Sequence, residues 1–245
     1  MHPALRHTAH RPWALPRGPW LGRQVWADLA FLHWRVPASA LRPLVPAALK
    51  IQEFDGSSWV GVVPFRMEGV MARGLPDLPG VSAFPELNVR LYVEHQGKPG
   101  VWFLSLDADN ALAVWGARRF FHLPYHRARM RLGALQDGIE YESVRRGAEQ
   151  VCFRGSYRPT GDVYAAPPDG LDHWLTERYC LYALGPDGGL RRTEVHHAQW
   201  PLQPAEVDIT QNGMLLPQGV PLQGGPVCHF ARRIDVIVWA PQRCA

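Results

Sequence analysis

Apolar and polar residues alternate most regularly in the middle of the chain. The apolar positions are Leu87, Val89, Leu91 and Val93, and the polar positions are Glu86, Asn88, Arg90, Tyr92 and Glu94. A period of two is typical of a β-strand with two unlike faces. Residues 96–100 resemble a turn and lead into an apolar run over residues 101–106. We therefore predict a β-hairpin here.

Other short apolar runs predict further strands. They cover residues 59–65, 139–144, 151–157, 177–184, 193–200 and 234–239. Three short helices are predicted over residues 38–44, 111–120 and 171–175, the second with Asp109 or Asn110 as its N-cap. The chain also contains 23 glycines and 23 prolines, many of them between these runs. This profile is typical of an all-β barrel or sandwich with a few helices.

The sequence contains no segment typical of a boundary between two domains. No Ser/Gly-rich linker or charge block divides the 245 residues, of which 47% are hydrophobic. We predict a flexible N-terminal arm over residues 1–22, which are basic and contain several prolines, and a single domain over residues 23–245. The arm lacks the apolar stretch of a secretory signal, and no run reaches the roughly 18 residues of a membrane span. A soluble cytoplasmic protein without a membrane partner is expected.

Charge and cysteine content exclude several classes of protein. The net charge of +4 is spread along the chain, so no nucleic-acid partner is expected. The four cysteines are far apart and form no C-x-x-C pair, which favours reduced thiols over a zinc or redox site. Phosphate-binding, dinucleotide-binding and nucleophile-elbow motifs are missing, and we expect no cofactor. A homo-oligomer is left open.

Lysine is rare in this chain. Of the 26 lysine and arginine residues, only Lys50 and Lys98 are lysines. Arginine stays protonated at neutral pH and cannot form a Schiff base with a carbonyl compound. Imine chemistry therefore has at most two candidate residues.

Six segments, in this order, resemble the DUF2071 (YqjF-like) family, a branch of the acetoacetate decarboxylase-like superfamily. They are residues 31–37 (FLHWRVP), 54–65 (FDGSSWVGVVPF), 84–93 (FPELNVRLYV), 100–108 (GVWFLSLDA), 117–125 (ARRFFHLPY) and 177–182 (ERYCLY). The resemblance runs over most of the chain. It implies a mainly β fold, a barrel or cone of mostly antiparallel strands with a few short helices around an internal cavity.

The superfamily resemblance also bears on chemistry. Acetoacetate decarboxylases have a glutamate after an aromatic/proline turn, which Phe84-Pro85-Glu86 resembles. They also have a Trp-Gly pair before two adjacent lysines, one of which forms the imine and is activated by a neighbouring cationic group. Here Trp115-Gly116 precedes Arg118 and Arg119. The gap between this Trp-Gly pair and the two arginines is one residue shorter than the gap before the lysines of acetoacetate decarboxylases. Neither arginine can form the imine, and decarboxylation by that route is therefore disfavoured.

The candidate site combines the polar face of the predicted strand with the segment after Trp115. We predict Glu86 as the catalytic acid or base and Arg118 as the catalytic anion anchor, with Arg119 as the alternative anchor. Further ligand contacts are predicted from Asn88, Arg90, Arg119, His122 and Tyr125. The same residues also have purely structural interpretations. The strand can be half exposed, either arginine can form a structural ion pair, and His122 or Tyr125 can be a core residue. No metal is expected, because Pro124 interrupts the His122–His126 spacing that a helix would need.

Three functions fit these residues. The first is an enzyme that performs proton chemistry of lyase or isomerase type on a small anionic or carbonyl compound, without a Schiff base. The second is a non-catalytic protein that binds a small molecule in the same cavity. The third is a structural or regulatory partner with a filled interior. A titratable group with a displaced pKa beside an anion anchor in an enclosed pocket favours the first.

Overall fold

Most of the regular secondary structure is strand, and the computed structural model describes residues 2–78 and 80–244. The strands are β1 (Gly22–Val36), β2 (Lys50–Ile51), β3 (Ser58–Ala72), β4 (Phe84–His95), β5 (Lys98–Ala108), β6 (Tyr125–Ala134), β7 (Ile139–Arg145), β8 (Cys152–Pro159), β9 (Cys180–Leu184), β10 (Leu190–His197), β11 (Gln203–Asn212), β12 (Val227–Val238) and β13 (Gln242–Arg243). The mainly β class is confirmed.

The helices are short and lie at the ends of strands. They are α1 (Ala38–Leu41), α2 (Ala111–Gly116) and α3 (Leu171–Thr176), with 3-10 turns at Pro3–Arg6, Arg42–Leu44 and Leu216–Gln218. A π-helical turn, Ala117–Phe121, continues α2. The Asn110 side chain caps α2 by accepting a hydrogen bond from the backbone N–H of Ala113. All three predicted helices are present, and no helix among the described residues is long and apolar enough to span a membrane.

The strand pairing closes into a ring. Around the ring the order is β1, β3, β4, β5, β9, β10, β12 and back to β1. All these pairings are antiparallel except β5 with β9. A second arc, formed by β6, β7, β8 and β11, leaves the ring at β5 and rejoins it at β12.

Strand β4 separates two interiors. Leu87, Val89, Leu91 and Val93 are fully buried in the core that the arc covers. Burying each such side chain contributes roughly 1.5–3 kcal/mol, which fixes the register of the strand. The opposite face of β4 looks into the ring, where a second apolar cluster surrounds a cavity. The predicted hairpin of residues 86–106 is confirmed as β4 and β5.

The N-terminal segment, predicted as a flexible arm, packs against the domain in this structure. The Arg11 side chain is buried, donates a 2.6 Å hydrogen bond to the carbonyl of Val195 and forms an ion pair with Glu194. The Nε2 atom of His196 lies 2.8 Å from the carbonyl oxygen of Ala4. These contacts give the segment defined partners on β10, which its basic, proline-containing composition did not indicate. Met1 lies outside the described residues.

Candidate functional site

A cavity of about 300 Å³ lies inside the ring of strands. Most of its wall is apolar, with Phe65, Phe103 and Trp200 among the larger side chains. The segment of α2 and the following π-turn contributes Gly116, Ala117 and other residues to one side. A few polar side chains from several segments enter this apolar wall. This is the composition that small-molecule sites usually have.

The polar face of β4 supplies three of these side chains. Glu86, Asn88 and Arg90 all line the cavity and are only 2%, 6% and 7% exposed. Their spacing of two residues places them on the same face of the strand. The half-exposed strand considered from the sequence is therefore not what forms, because the ring closes over this face as well. Tyr92, the next residue in the row, is buried among aromatic neighbours and α3.

Within the described part of the chain, the carboxyl group of Glu86 has one side-chain hydrogen-bond partner, Tyr125. The Tyr125 hydroxyl donates a 2.7 Å hydrogen bond to its Oε2 atom. Burial raises the pKa of Glu86 to about 8; the Tyr125 hydrogen bond opposes the shift and the nearby Asp107 adds to it. At neutral pH most of Glu86 is therefore a neutral carboxylic acid, which can donate a hydrogen bond as well as accept one.

The position of Tyr125 is set by the turn that precedes it. His122 has a left-handed backbone (φ 56°) and ends the π-turn. The Nε atom of Arg118 donates a 2.6 Å hydrogen bond to the carbonyl of Tyr125. Burial and the neighbouring Glu86 raise the pKa of the Tyr125 hydroxyl well above its usual value. Tyr125 therefore stays protonated and remains a donor to Glu86.

Two buried arginines lie at the other end of the β4 row. Arg90 Nη2 donates to the carbonyl of Leu175 at 3.2 Å, and Arg178 Nη1 donates to the side chain of Gln52 at 2.6 Å. Both guanidinium groups lie against the Tyr92 ring, at 5.7 and 4.9 Å from its centre. Burial, and to a lesser extent the charge of Arg90, lower the pKa of Arg178 to about 10, so it remains charged at neutral pH.

Neither of these two arginines has an acidic partner among the described residues. No carboxylate oxygen there lies within 4 Å of either guanidinium group, although other buried arginines of this chain are paired. Arg90 Nε and Arg178 Nε and Nη2 also lack a hydrogen-bond partner among the described residues. Buried charges are normally paired, because removing them from water costs several kcal/mol. Both residues line the cavity, so these N–H groups could pair with an anion there.

The adjacent pair Arg118 and Arg119 does not supply the expected inward-facing guanidinium group. Both side chains are exposed and neither lines the cavity. The inner side of this segment is formed instead by small or apolar residues, including Ala113, Gly116 and Ala117. Arg119 lies over the Phe120 ring, 5.8 Å from its centre. The placement predicted for Arg118 and Arg119 is therefore corrected: the guanidinium groups at the cavity are those of Arg90 and Arg178.

The histidines near Tyr125 are also outside the cavity lining. His122 is half-buried and does not line the cavity, so the predicted ligand contact has no support from its placement. Burial and the charges of Arg145 and Arg118 lower the pKa of His126 to about 4. Within residues 2–78 and 80–244, no group of three or more His, Cys, Asp or Glu residues could hold a metal ion.

Arg178 and His197 line the cavity but were not assigned a role from the sequence. Arg178 belongs to residues 177–182, one of the segments that resembled the family. Glu177, Arg178 and Tyr179 all carry polar groups, so the sequence did not indicate which of the three points into the cavity. His197 lines the cavity, and burial lowers its pKa to about 4, so it is neutral. Its Nδ1 atom lies 2.7 Å from the carbonyl oxygen of Ala198.

Neither lysine is near the cavity. Lys50 is exposed at the start of β2, and the Lys98 ammonium lies 5.5 Å from the centre of the Trp13 ring. Neither residue lines the cavity. The cavity wall consequently offers no lysine amine that could form an imine.

A ring of strands around such a cavity defines the acetoacetate decarboxylase-like fold class. The structure superposes on acetoacetate decarboxylase from Legionella pneumophila with a TM-score of 0.64, 14% sequence identity and coverage of 99% of this chain and 94% of that one. The enduracididine biosynthesis enzyme MppR with bound HEPES gives a TM-score of 0.66 at 13% identity, with coverage of 98% and 99%. At these identities the similarity establishes the fold.

Sequence comparison identifies the family within this fold class. The chain belongs to DUF2071, a family of uncharacterized conserved proteins, which matches residues 23–235. It is 44% identical over 227 residues to the uncharacterized protein YqjF of Bacillus subtilis, covering 92% of this chain and 93% of YqjF. It is 29% identical over 128 residues to an acetoacetate decarboxylase from Streptomyces nogalater, covering 51% of this chain and 46% of that protein.

Proposed function

We propose that the protein is an enzyme that transfers protons to and from a carbonyl-containing carboxylate, without forming a Schiff base. One observation carries this proposal. A buried carboxyl group with a pKa of about 8 shares a cavity with two buried guanidinium groups that have no carboxylate partner among the described residues. Displaced pKa values beside an anion anchor in an enclosed pocket are typical of active sites.

Each polar group has a defined role in this proposal. Arg90 and Arg178 bind the carboxylate of the substrate through their free N–H groups. Ionised Glu86, about a tenth of the population at pH 7 given a pKa near 8, removes a proton from the carbon next to the carbonyl group. The substrate becomes an enolate, and Glu86 becomes a neutral acid that holds the proton.

The carbon to which Glu86 returns the proton decides which product forms. If the Glu86 proton first exchanges with water, its delivery to the same carbon replaces a substrate proton with one from the solvent. Where the enolate is conjugated with a double bond, delivery to the far carbon of that system gives an isomer. Tyr125 keeps its own proton throughout and orients the Glu86 carboxyl group through the 2.7 Å hydrogen bond. Asn88, midway along the row, has a side-chain oxygen without a partner among the described residues and can contact the substrate.

Hydrogen–deuterium exchange tests the proposal without knowledge of the natural substrate. The protein is incubated in D₂O with a panel of keto acids of different lengths, and loss of the signals of protons next to the carbonyl is followed by NMR. We expect exchange with at least one keto acid and a loss of more than about 100-fold in rate in Glu86→Gln, the size of a general-base contribution. The matched control is Glu53→Gln, since Glu53 is exposed. No exchange above the buffer rate with any keto acid would contradict the proposal.

A non-catalytic ligand-binding protein is the second candidate, and the apolar character of the cavity wall favours it. A binder needs the arginine pair and the apolar wall but not Glu86. Carboxylate binding that is unchanged in Glu86→Gln, with no exchange in the native protein, would establish this alternative. Borohydride trapping with carbonyl acids should give no adduct at Lys50 or Lys98 under either function.

A further inference from the structure

We infer that the ligand of this cavity is an extended amphipathic carboxylate, with its acid group at Arg90 and Arg178, an apolar chain along the ring wall and its reactive carbonyl beside Glu86. This inference rests on the proposed function and specifies its substrate class. It depends on where the polar groups stand along the cavity, and three separate features support it.

The first feature is the distance between the two polar ends. Glu86 and Arg90 are four residues apart on one strand, which separates their Cα atoms by about 13 Å. Neither arginine contributes to the pKa of Glu86, as a cation within about 4–6 Å would. In a β-keto acid the carboxylate and ketone carbons are only two bonds of about 1.5 Å apart. The Arg90 guanidinium group is held at the far end by the Leu175 carbonyl and the Tyr92 ring, so such a compound is too short to contact both ends at once.

The second feature is the wall between the two ends. Apolar side chains from several strands of the ring face this space, among them Val63, Phe65, Phe103, Leu106 and Val195. A short polar acid would leave this surface in contact with water, whereas an alkyl or aryl chain would cover it. The cavity volume of about 300 Å³ agrees, since a cavity of about 150 Å³ is known to bind benzene. A ligand of about ten to twelve non-hydrogen atoms fits this scale.

The third feature is the direction of the cavity. Phe120 lines the cavity and is also 56% exposed, so the opening lies beside the π-turn. The same turn leads to Tyr125 and so to Glu86. Arg90 and Arg178 lie at the far end, where Arg90 contacts Leu175 of α3. An acid group must therefore pass along the apolar wall to reach the arginines, and the chain that follows it lies along that wall.

Calorimetric titration with a homologous series tests this inference. The probes are acetate, butanoate, hexanoate and octanoate, with octanamide as a neutral molecule of the same size as octanoate. We expect one octanoate to bind per chain and the affinity to rise about fourfold per added methylene group. Octanamide should bind at least tenfold more weakly than octanoate, on the order expected for a charged hydrogen bond. In Arg178→Met the preference for octanoate over octanamide should disappear, while Arg158→Met, an exposed control, should retain it.

The results separate this inference from the proposed function. Equal affinity for acetate and octanoate, or an unchanged acid-over-amide preference in both Arg178→Met and Arg90→Met, would overturn the extended ligand. Deuterium exchange into acetoacetate would then still support the enzyme. Conversely, chain-length-dependent binding of octanoate, without exchange into any keto acid of the panel, 7-oxooctanoate included, would support the ligand class and refute the enzyme. Because the native protein alone answers the chain-length question, the test does not depend on the variants folding.

Discussion

Two kinds of buried arginine occur in this molecule. Arg11 and Arg145 each meet a carboxylate, Glu194 and Asp107 respectively, and Arg145 donates to Asp107 from both Nε and Nη2. Arg90 and Arg178 are buried to a similar extent but have no acidic partner among the described residues. The first kind holds the fold together, and the second kind leaves charge available inside the cavity.

The difference shows how stability and function are divided in this fold. A buried guanidinium group loses its hydration, and a carboxylate in direct contact offsets most of that loss. At Arg90 and Arg178 the direct contacts among the described residues are with neutral oxygen atoms and aromatic rings; Arg178, for example, lies against Tyr92 and Trp174. Buried guanidinium groups without a carboxylate partner contribute little to stability. Such groups are expected at a binding site, where the anion of a ligand supplies the missing partner.

The largest effect is expected when a paired arginine is removed. Arg145→Met leaves Asp107 buried without its partner, and the free energy of unfolding should fall by about 3–5 kcal/mol. Urea denaturation at pH 7 measures it. The control is Arg158→Met, because the Arg158–Glu206 pair is exposed and should contribute less than about 1 kcal/mol. Equal losses in the two variants would contradict the structural role given to Arg145.

Removing an unpaired arginine should weaken ligand binding without lowering the free energy of unfolding. Arg178→Met takes away an isolated buried charge, so the free energy of unfolding should stay the same or rise. Octanoate affinity should fall about 10–100-fold, as expected when charged hydrogen bonds worth about 1.5–3 kcal/mol are lost. Calorimetry and urea denaturation on the same sample give both values. A variant that loses stability but still binds octanoate normally would place Arg178 in the structural group.

Glu86 provides a pH test of the cavity. Its native pKa is about 8 and its ordinary value is 4.5, so between these pH values the folded protein holds a proton that the unfolded chain has released. The free energy of unfolding should therefore fall as the pH rises through this window, by at most about 1.4 kcal/mol per pH unit from this group. Glu86→Gln should flatten the dependence. An identical pH profile in the variant would mean that Glu86 is ionised in the native state.

The smallest effects are expected on the outside of the π-turn. Arg119→Ala removes an exposed guanidinium group that has no ion pair among the described residues, and stability and octanoate affinity should change by less than about 0.5 kcal/mol. Arg118→Ala removes the hydrogen bond to the Tyr125 carbonyl, so a modest loss of exchange rate is the expected result. A loss of octanoate binding in Arg119→Ala would restore the anchor first predicted from the sequence.

Much of the fold could be predicted from the sequence because the strands carry strong local patterns. The alternation in β4 predicted both its approximate boundaries and the side chains that face the cavity. Strand β1 was missed because its apolar run has no clean period, and Asp28, with φ 51°, interrupts its pairing with β3. Strand β6 was also missed, although Arg127, Arg129 and Arg131 alternate with smaller or apolar residues there.

The candidate site was predicted less completely than the fold. Glu86, Asn88, Arg90 and Tyr125, four of the predicted site residues, line the cavity because a strand and a nearby turn bring them there; their roles stay predictions. The cavity position of Arg178 could not be predicted from the sequence. Arg178 is 88 positions after Arg90 (178 − 90), and the two come together only because β9 pairs with β5 and closes the ring. Arg118 and Arg119 were given a cavity role by analogy with lysines, but the chain turns their side chains outward.

A structure with bound 8-bromooctanoate is the sharpest test of the arginine pair as the carboxylate site, because the anomalous signal of bromine shows how the ligand lies. We expect the carboxylate within about 3.2 Å of the Arg178 guanidinium nitrogens and the bromine near Glu86 and Phe120 at the opening. A carboxylate at the opening with bromine at the arginines would contradict this orientation. A ligand bound only outside the ring of strands would contradict the cavity site itself.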